Sequence, residues 1–173
     1  DSVQVRLSDS GEIQFKSKGL MKGYNLNPEN TAEVFDDGWY CTGDSGKIDE
    51  QGNLWVTGRV SEVFKTSKGK FIVPMKLESL FGRNPNLAQF CCMGHGMTAP
   101  IMLVTLSELG LKRDREELQD ELQSLLDEIN SEVPAYERIS HLFVCDEWTI
   151  GNALLTPTMK LKRKQIEEHY KDL

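Results

Sequence analysis

The pattern of the chain changes at Gly58-Arg59, and that change limits the fold more than any other feature. Before it, short runs of alternating apolar and polar residues are separated by glycine turns. After it, β-prone runs with few charges alternate with helical ones. Alternation of period two fits half-buried strands joined as hairpins, whereas strands interleaved with helices need a sheet that the helices cover. The fold class is therefore α+β, with hairpins first and a compact α/β unit holding one three-stranded sheet second.

In the first part, Val3, Val5 and Leu7 alternate with polar residues, Ser8-Asp9-Ser10-Gly11 supplies a turn, and Ile13 and Phe15 alternate again. Asn27 before Pro28 predicts a short helix to Val34 or Phe35, ended by Asp36-Asp37-Gly38. Ile48 and Leu54–Thr57 flank Asp49-Glu50-Gln51-Gly52, a second hairpin pattern. In the second part, Val63–Lys65 and Phe71–Val73 are short strands about a Lys-Gly-Lys turn, and a helix starts at Pro74 and reaches about Phe81. Leu87–Met93 and Ile101–Leu106 read as buried strands. The segment from Asp114 to about Asn130 is a helix with Leu118, Leu122, Leu125 and Ile129 on one face and Asp114 with Glu117 as a capping box. Ile139–Cys145 is a further strand, and Ile166, Tyr170 and Leu173 follow helical spacing at the end.

With 39% hydrophobic and 27% charged residues the chain can bury a core. A net charge of −7 argues against nucleic acid as a partner, since sequence-independent binding needs a basic footprint. Cys41, Cys91, Cys92 and Cys145 form no Cys-x-x-Cys pair, and His95, His141 and His169 are scattered, so no zinc site or disulfide framework is signalled. Reduced thiols in a cytoplasmic protein are the simpler reading. No apolar run is long enough to cross a bilayer.

Two segments carry groups suited to a ribose phosphate. One is Gly38-Trp39-Tyr40-Cys41-Thr42-Gly43-Asp44, followed by Gly58-Arg59; the other is Leu155-Thr156-Pro157-Thr158-Met159-Lys160-Leu161-Lys162-Arg163. A carboxylate on a glycine-bounded turn can accept hydrogen bonds from a vicinal diol, and Arg and Lys can neutralise phosphate oxygens. In this order and at these separations, the segments resemble the C-terminal third of the adenylate-forming (AMP-binding) superfamily. Phe64-Lys65-Thr66-Ser67-Lys68-Gly69-Lys70 and the Leu-Thr-Pro-Thr-x-Lys-x-Lys-Arg run resemble its long-chain fatty acyl-CoA synthetases. The likeness covers essentially the whole chain.

That resemblance implies the end of a distorted β-barrel subdomain of a large N-terminal domain over residues 1–57, and a mobile C-terminal lid over 58–173 with its hinge near 60–62. Relatives pivot at an Asp or Lys two places after the arginine; Ser61 stands there in this chain. Because the match starts mid-protein and the chain begins at Asp1, an excised fragment, inactive alone, is expected. The parent enzyme would activate a fatty acid with ATP as acyl-adenylate and transfer it to CoA. Its Mg2+ ligands, its phosphate-wrapping loop and its acyl pocket would lie in the missing N-terminal domain.

The same resemblance assigns residues. Asp44 would bind the ribose hydroxyls, with Thr42 and Gly43 shaping its turn, and Arg59 would meet ribose and phosphate. Lys160 would be catalytic: when a carboxylate attacks the α-phosphorus of ATP, an ammonium between the two anions stabilises the building charge. Gly69, Lys68 and Lys70 would help form the CoA tunnel. Each has a plainer reading beside it. Asp44 as a turn residue, Arg59 as a surface ion pair, Lys160 as a solubilising charge and Ser67–Lys70 as a tight hairpin all remain open on the residues alone. Two rival functions stand too. One is an adenylation domain loading a carrier protein. The other is a noncatalytic module whose acidic helix docks a partner while Lys160–Lys164 makes peripheral membrane contact. Cys41 is expected to be packing rather than a nucleophile.

Overall fold

The computed structural model describes residues 2–173. The chain forms two compact units, one ending at Val63 and the other spanning Phe64–Leu173.

The first unit is a curled antiparallel sheet. Its hairpin of β1 (Gln4–Leu7) and β2 (Glu12–Lys16) pairs Leu7 with Ile13, as the alternation predicts. A single-turn-and-a-half helix, α1 (Pro28–Glu33), follows, and the Asn27 side chain caps it by accepting the Asn30 N–H at 3.1 Å. After β3 (Phe35–Asp36) comes the ten-residue β4 (Trp39–Ile48), which organises the unit: β2, β3 and β5 (Leu54–Arg59) all pair with it. Aromatic packing of Tyr40 with Phe15 and Phe35 closes the sheet around its start, at centroid distances of 5.2 and 5.7 Å. Val60–Glu62 makes one 3-10 turn after β5.

The second unit begins with the small hairpin β6 (Phe64–Lys65) and β7 (Phe71–Ile72), which leads into α2 (Pro74–Phe81) with its proline in the first turn. A three-stranded sheet follows in the order β10 (Leu142–Cys145), β9 (Ile101–Leu106), β8 (Leu87–Met93), with β10 parallel and β8 antiparallel to β9. Both faces are covered. On one, α2 and α3 (Arg115–Glu132) bury Leu77, Phe81, Leu118, Leu122 and Ile129 against Met102 and Val104. On the other, Trp148, Leu154, Leu155 and Ile166 of α4 (Arg163–His169) cover Cys91 and Leu103. This two-sided cover explains why β8 and β9 carry so little charge.

Four local expectations are corrected. The buried stripe of α3 takes Leu126 where Leu125 was expected; Leu125 is only partly buried, because a straight helix places positions 118, 122, 126 and 129 along its inner face. Asp114 caps α3 through the N–H groups of Glu116 and Glu117, but Glu117 turns back to Arg113 at 3.7 Å, so only half of the capping box forms. The strand expected from Ile139 starts at Leu142. Both backbone groups of Ile139 are taken by the Asn130 side chain, at 2.8 and 2.9 Å, which leaves none for a ladder. The last helix ends at His169, and Leu173 is 52% exposed rather than part of an apolar stripe.

Candidate functional site

Asp44 does not lie in a turn, as the sequence suggests, but inside β4, where the strand bulges. Between Cys41 and Ser45 the pairing with β2 slips, so that Gln14 faces Cys41 while Glu12 faces Ser45. Gly43 makes the bulge possible with a left-handed φ of +73°. Its N–H donates to Glu12 Oε1 at 2.8 Å, the Thr42 hydroxyl donates to the Ile13 carbonyl at 2.8 Å, and the Asp44 N–H donates to that hydroxyl at 3.0 Å. Thr42 and Gly43 are thus fixed by β2, and Asp44 is fixed through the Thr42 hydroxyl.

The bulge is completed from β5. Asp44 and Arg59 are cross-strand partners, and Arg59 Nε meets Asp44 Oδ1 at 3.1 Å while Nη1 donates to the Thr42 carbonyl at 3.1 Å. Among the described residues Asp44 Oδ2 has no partner. With side-chain exposures of 47% and 35%, the pair faces solvent and contributes about 0–1 kcal/mol to stability. It can orient a carboxylate and leave it able to accept further hydrogen bonds. Tyr40 borders the pair: a hydrogen bond with Tyr24, then burial, raise its phenol above the ordinary value, while Arg59 pulls it down. Cys41 takes a hydrogen bond from Gln14 at 3.2 Å, and burial followed by Glu12 raises its thiol, an environment for packing rather than for a thiolate.

The second unit presents two lysine hairpins. Thr156–Lys160 is closed by Thr156 N–H to the Lys160 carbonyl at 2.8 Å and by Lys160 N–H to Thr156 Oγ1 at 3.0 Å. Leu155 pairs with Leu161 beneath it. The Lys160 side chain is exposed, and among the described residues nothing pairs with its ammonium. Thr66–Lys70 is closed in the same manner, with Gly69 at φ +76°. Lys68 is exposed at its tip, and Lys70 lies over the Tyr136 ring at 5.7 Å. Ser67 N–H donates to the Met97 carbonyl at 2.8 Å, which ties the loop to the turn after β8.

Sequence reasoning missed four residues. Glu12 stands between the Gly11 turn and Ile13, and nothing local marks it as the partner of the Gly43 N–H. Tyr40 lies within the Gly38–Asp44 run and Tyr24 follows Gly23, but neither position reveals that the two phenols meet. Arg163, placed in a basic surface cluster, instead forms a half-buried two-point ion pair with Glu78, at 2.7 Å for both contacts, across 85 positions. A cavity of about 1050 Å3 in the second unit, lined by Leu106, Leu118, Leu142, Val144 and Arg113 among others, touches none of the predicted site residues.

A family model described as the AMP-binding enzyme C-terminal domain matches residues 62–173, well over half of the chain. Long-chain-fatty-acid–CoA ligase 5 of Mus musculus is 31% identical across 98% of this chain, and long-chain-fatty-acid–CoA ligase 1 of Homo sapiens is 29% identical across 93%. The chain spans only 28% and 26% of those two proteins. Among solved structures, the adenylation domain of a carboxylate reductase from Mycobacterium chelonae superposes with a TM-score of 0.82 at 26% identity, over 99% of this chain and 30% of that one. The adenylation and carrier didomain of a carboxylic acid reductase from Segniliparus rugosus, in complex with AMP, gives 0.77 at 26%, over 99% and 27%.

Proposed function

This chain belongs to the adenylate-forming AMP-binding enzymes, whose C-terminal domain it contains, and from that premise we propose that it is the C-terminal part of a long-chain fatty acid–CoA ligase. The full-length enzyme converts a fatty acid and ATP to acyl-adenylate and pyrophosphate, then passes the acyl group to CoA. Residues before the pivot segment Val60–Glu62, β5 included, are the end of the N-terminal domain, and residues after it are the mobile lid.

The observation that carries this reading is the Asp44–Arg59 pair. Its arginine orients one carboxylate oxygen and leaves the other open, which suits two ribose hydroxyls. Arg59, with a fork of donors, has capacity left for phosphate oxygens. Lys160 is the ammonium that meets substrate carboxylate and α-phosphate. At about 4 Å and an effective dielectric near 20, such a contact is worth about 4 kcal/mol before desolvation, at most about a thousandfold in the rate of the first step. Lys68, Gly69 and Lys70 serve the CoA arm in the second step. By the family resemblance, the Mg2+ ligands are assigned to the N-terminal part of the full-length enzyme.

Carrier-protein loading is favoured by one observation, the likeness to an adenylation and carrier didomain; the curated relatives quoted above favour CoA. The deciding experiment is Lys160→Ala in the full-length enzyme, with each half-reaction assayed separately and with CoA and a carrier protein each offered as acceptor. Adenylation should collapse, and acyl transfer from supplied acyl-adenylate to CoA should survive. Unchanged adenylation removes Lys160 from the mechanism.

A further inference from the structure

Lys160 stands three residues before Arg163, a basic residue held at two points by a carboxylate. The Arg163 guanidinium meets Glu78 through Nη1–Oε1 and Nη2–Oε2, both at 2.7 Å, with side-chain exposures of only 18% and 12%. Glu78 Oε1 also accepts the Cys92 backbone N–H at 2.7 Å, and Arg163 Nη1 lies 3.7 Å from Cys91 Sγ. One carboxylate therefore joins α2, which carries it, β8, which supplies the Cys92 N–H, and the first turn of α4, which supplies the arginine.

We infer that the Glu78–Arg163 pair is a positioning device for Lys160; the inference rests on the adenylation role proposed above. α4 has an apolar anchor of its own, because Ile166 is fully buried in the core on that face, with Leu155 1% exposed beneath the loop. What the pair adds is registration of the first turn of α4, where the loop's outgoing arm ends: Leu161 pairs with Leu155, Lys162 N–H donates to the Leu154 carbonyl at 2.9 Å, and Arg163 comes next. A lysine ammonium sits at the end of a flexible four-carbon stem, so its reach is set by where that stem starts. A two-point guanidinium–carboxylate contact fixes direction as well as distance, which a single-point ammonium contact cannot. Glu78 and Arg163 are positioning residues that act through Lys160 rather than on the substrate.

The test uses the full-length enzyme carrying Glu78→Gln, Arg163→Lys, Lys160→Ala and the Glu78→Gln/Lys160→Ala double change, with pyrophosphate exchange reporting adenylation. A displacement of about 1 Å in a reacting group costs about 100-fold in rate, so Glu78→Gln should lower kcat for adenylation roughly 10- to 100-fold. The KM for ATP and the transfer of acyl groups from supplied acyl-adenylate should stay within about twofold of wild type, since the lost contact acts only in the first transition state. Arg163→Lys, which keeps the charge and loses the fork, should fall between, and it carries the test if Glu78→Gln fails to fold. In the Lys160→Ala background, Glu78→Gln should add less than about threefold, because two residues acting through one group are not additive. Collapse with Lys160→Ala but normal adenylation with Glu78→Gln overturns this inference alone. Full additivity, or equal loss in both half-reactions, makes the pair merely structural and also overturns it. Intact adenylation with Lys160→Ala overturns the proposed role of Lys160 and the positioning role together.

Discussion

Gly69 and Met159 occupy the same place in two hairpin loops that are wired alike. Each donates its N–H to the carbonyl of the threonine three residues before it, at 2.9 Å in both loops, and each has a left-handed φ, +76° and +62°. Each threonine hydroxyl then receives the N–H of the lysine that follows, at 3.2 Å for Lys70 and 3.0 Å for Lys160. The loop assigned to CoA and the loop assigned to adenylation are one five-residue device, built with glycine in the first and methionine in the second.

Opposite substitutions at these two places should therefore have opposite effects. A side chain in left-handed backbone costs about 1–2 kcal/mol, of which glycine's greater chain entropy returns about 0.5–1 kcal/mol. Met159 is 66% exposed and loses little packing, so Met159→Gly should stabilise by roughly 0.5–1 kcal/mol. Gly69→Ala meets only Lys65 Cε, at 3.7 Å, so its cost is backbone strain alone, about 1 kcal/mol. Urea unfolding followed by fluorescence of the buried Trp148 measures both. Destabilisation by Met159→Gly would show that the methionine side chain holds the loop.

The thiols of β8 should make stability fall at high pH. Burial pushes Cys91 up to about 12, although Arg163 draws it down, and burial followed by Glu78 raises Cys92 well above its ordinary value. A group whose folded pKa is raised stabilises fully below its unfolded pKa and loses that contribution as pH rises towards the folded value. Unfolding free energy should accordingly decline above about pH 9, by about 1.4 kcal/mol per pH unit for each thiol. Replacing Cys91 with Ala should reduce the slope, and neither thiol should react with Ellman's reagent at pH 8 until the unit unfolds. Rapid native-state labelling of either would contradict the burial argument.

Asp49 gives the opposite sign. Its carboxylate accepts hydrogen bonds from the Trp55 indole, at 2.8 Å, and from the Asn53 side chain and backbone, and these hold its pKa at about 2. The depressed value means that its contribution to the β4–β5 hairpin is present above about pH 4 and lost as pH falls towards 2. A carboxyl carbon titration by NMR, with the Trp55 indole proton followed alongside, should show one shared midpoint near 2. A midpoint near the ordinary aspartate value would remove this loop lock.

Much of this was legible in the sequence, and the rest was hidden for identifiable reasons. Pro74 marked the start of α2, and the absence of charge in Leu87–Met93 and Ile101–Leu106 marked strands covered on both faces. Spacing could not separate Leu125 from Leu126, since both fit a helical period, and only the position of β9 selects between them. Ile139 reads as strand because nothing local reveals that Asn130 will take its backbone groups. The bulge at Gly43 was hidden because a glycine beside an aspartate reads as a turn until the partner strand is known. Arg163 shows the limit most plainly, for a bidentate partner 85 positions away leaves no mark on a basic run.

The Asp44–Arg59 pair gives the sharpest test of nucleotide binding, because its structural worth is small and its proposed functional worth is not. Exposed on both sides, the pair contributes about 0–1 kcal/mol, so Asp44→Ala should barely change the melting temperature. Hydrogen bonds from a diol to a charged carboxylate are worth about 1.5–3 kcal/mol, and each 1.4 kcal/mol is tenfold, so the KM for ATP in the full-length enzyme should rise about 10- to 100-fold. Asp44→Asn keeps one acceptor and loses the charge, and it should fall between the two. Arg59→Lys should raise the same KM less, since an ammonium keeps the charge but not the fork. A fall in stability with unaltered ATP kinetics would reverse the argument, leaving Asp44 as the partner that holds Arg59 on the bulge and nothing more.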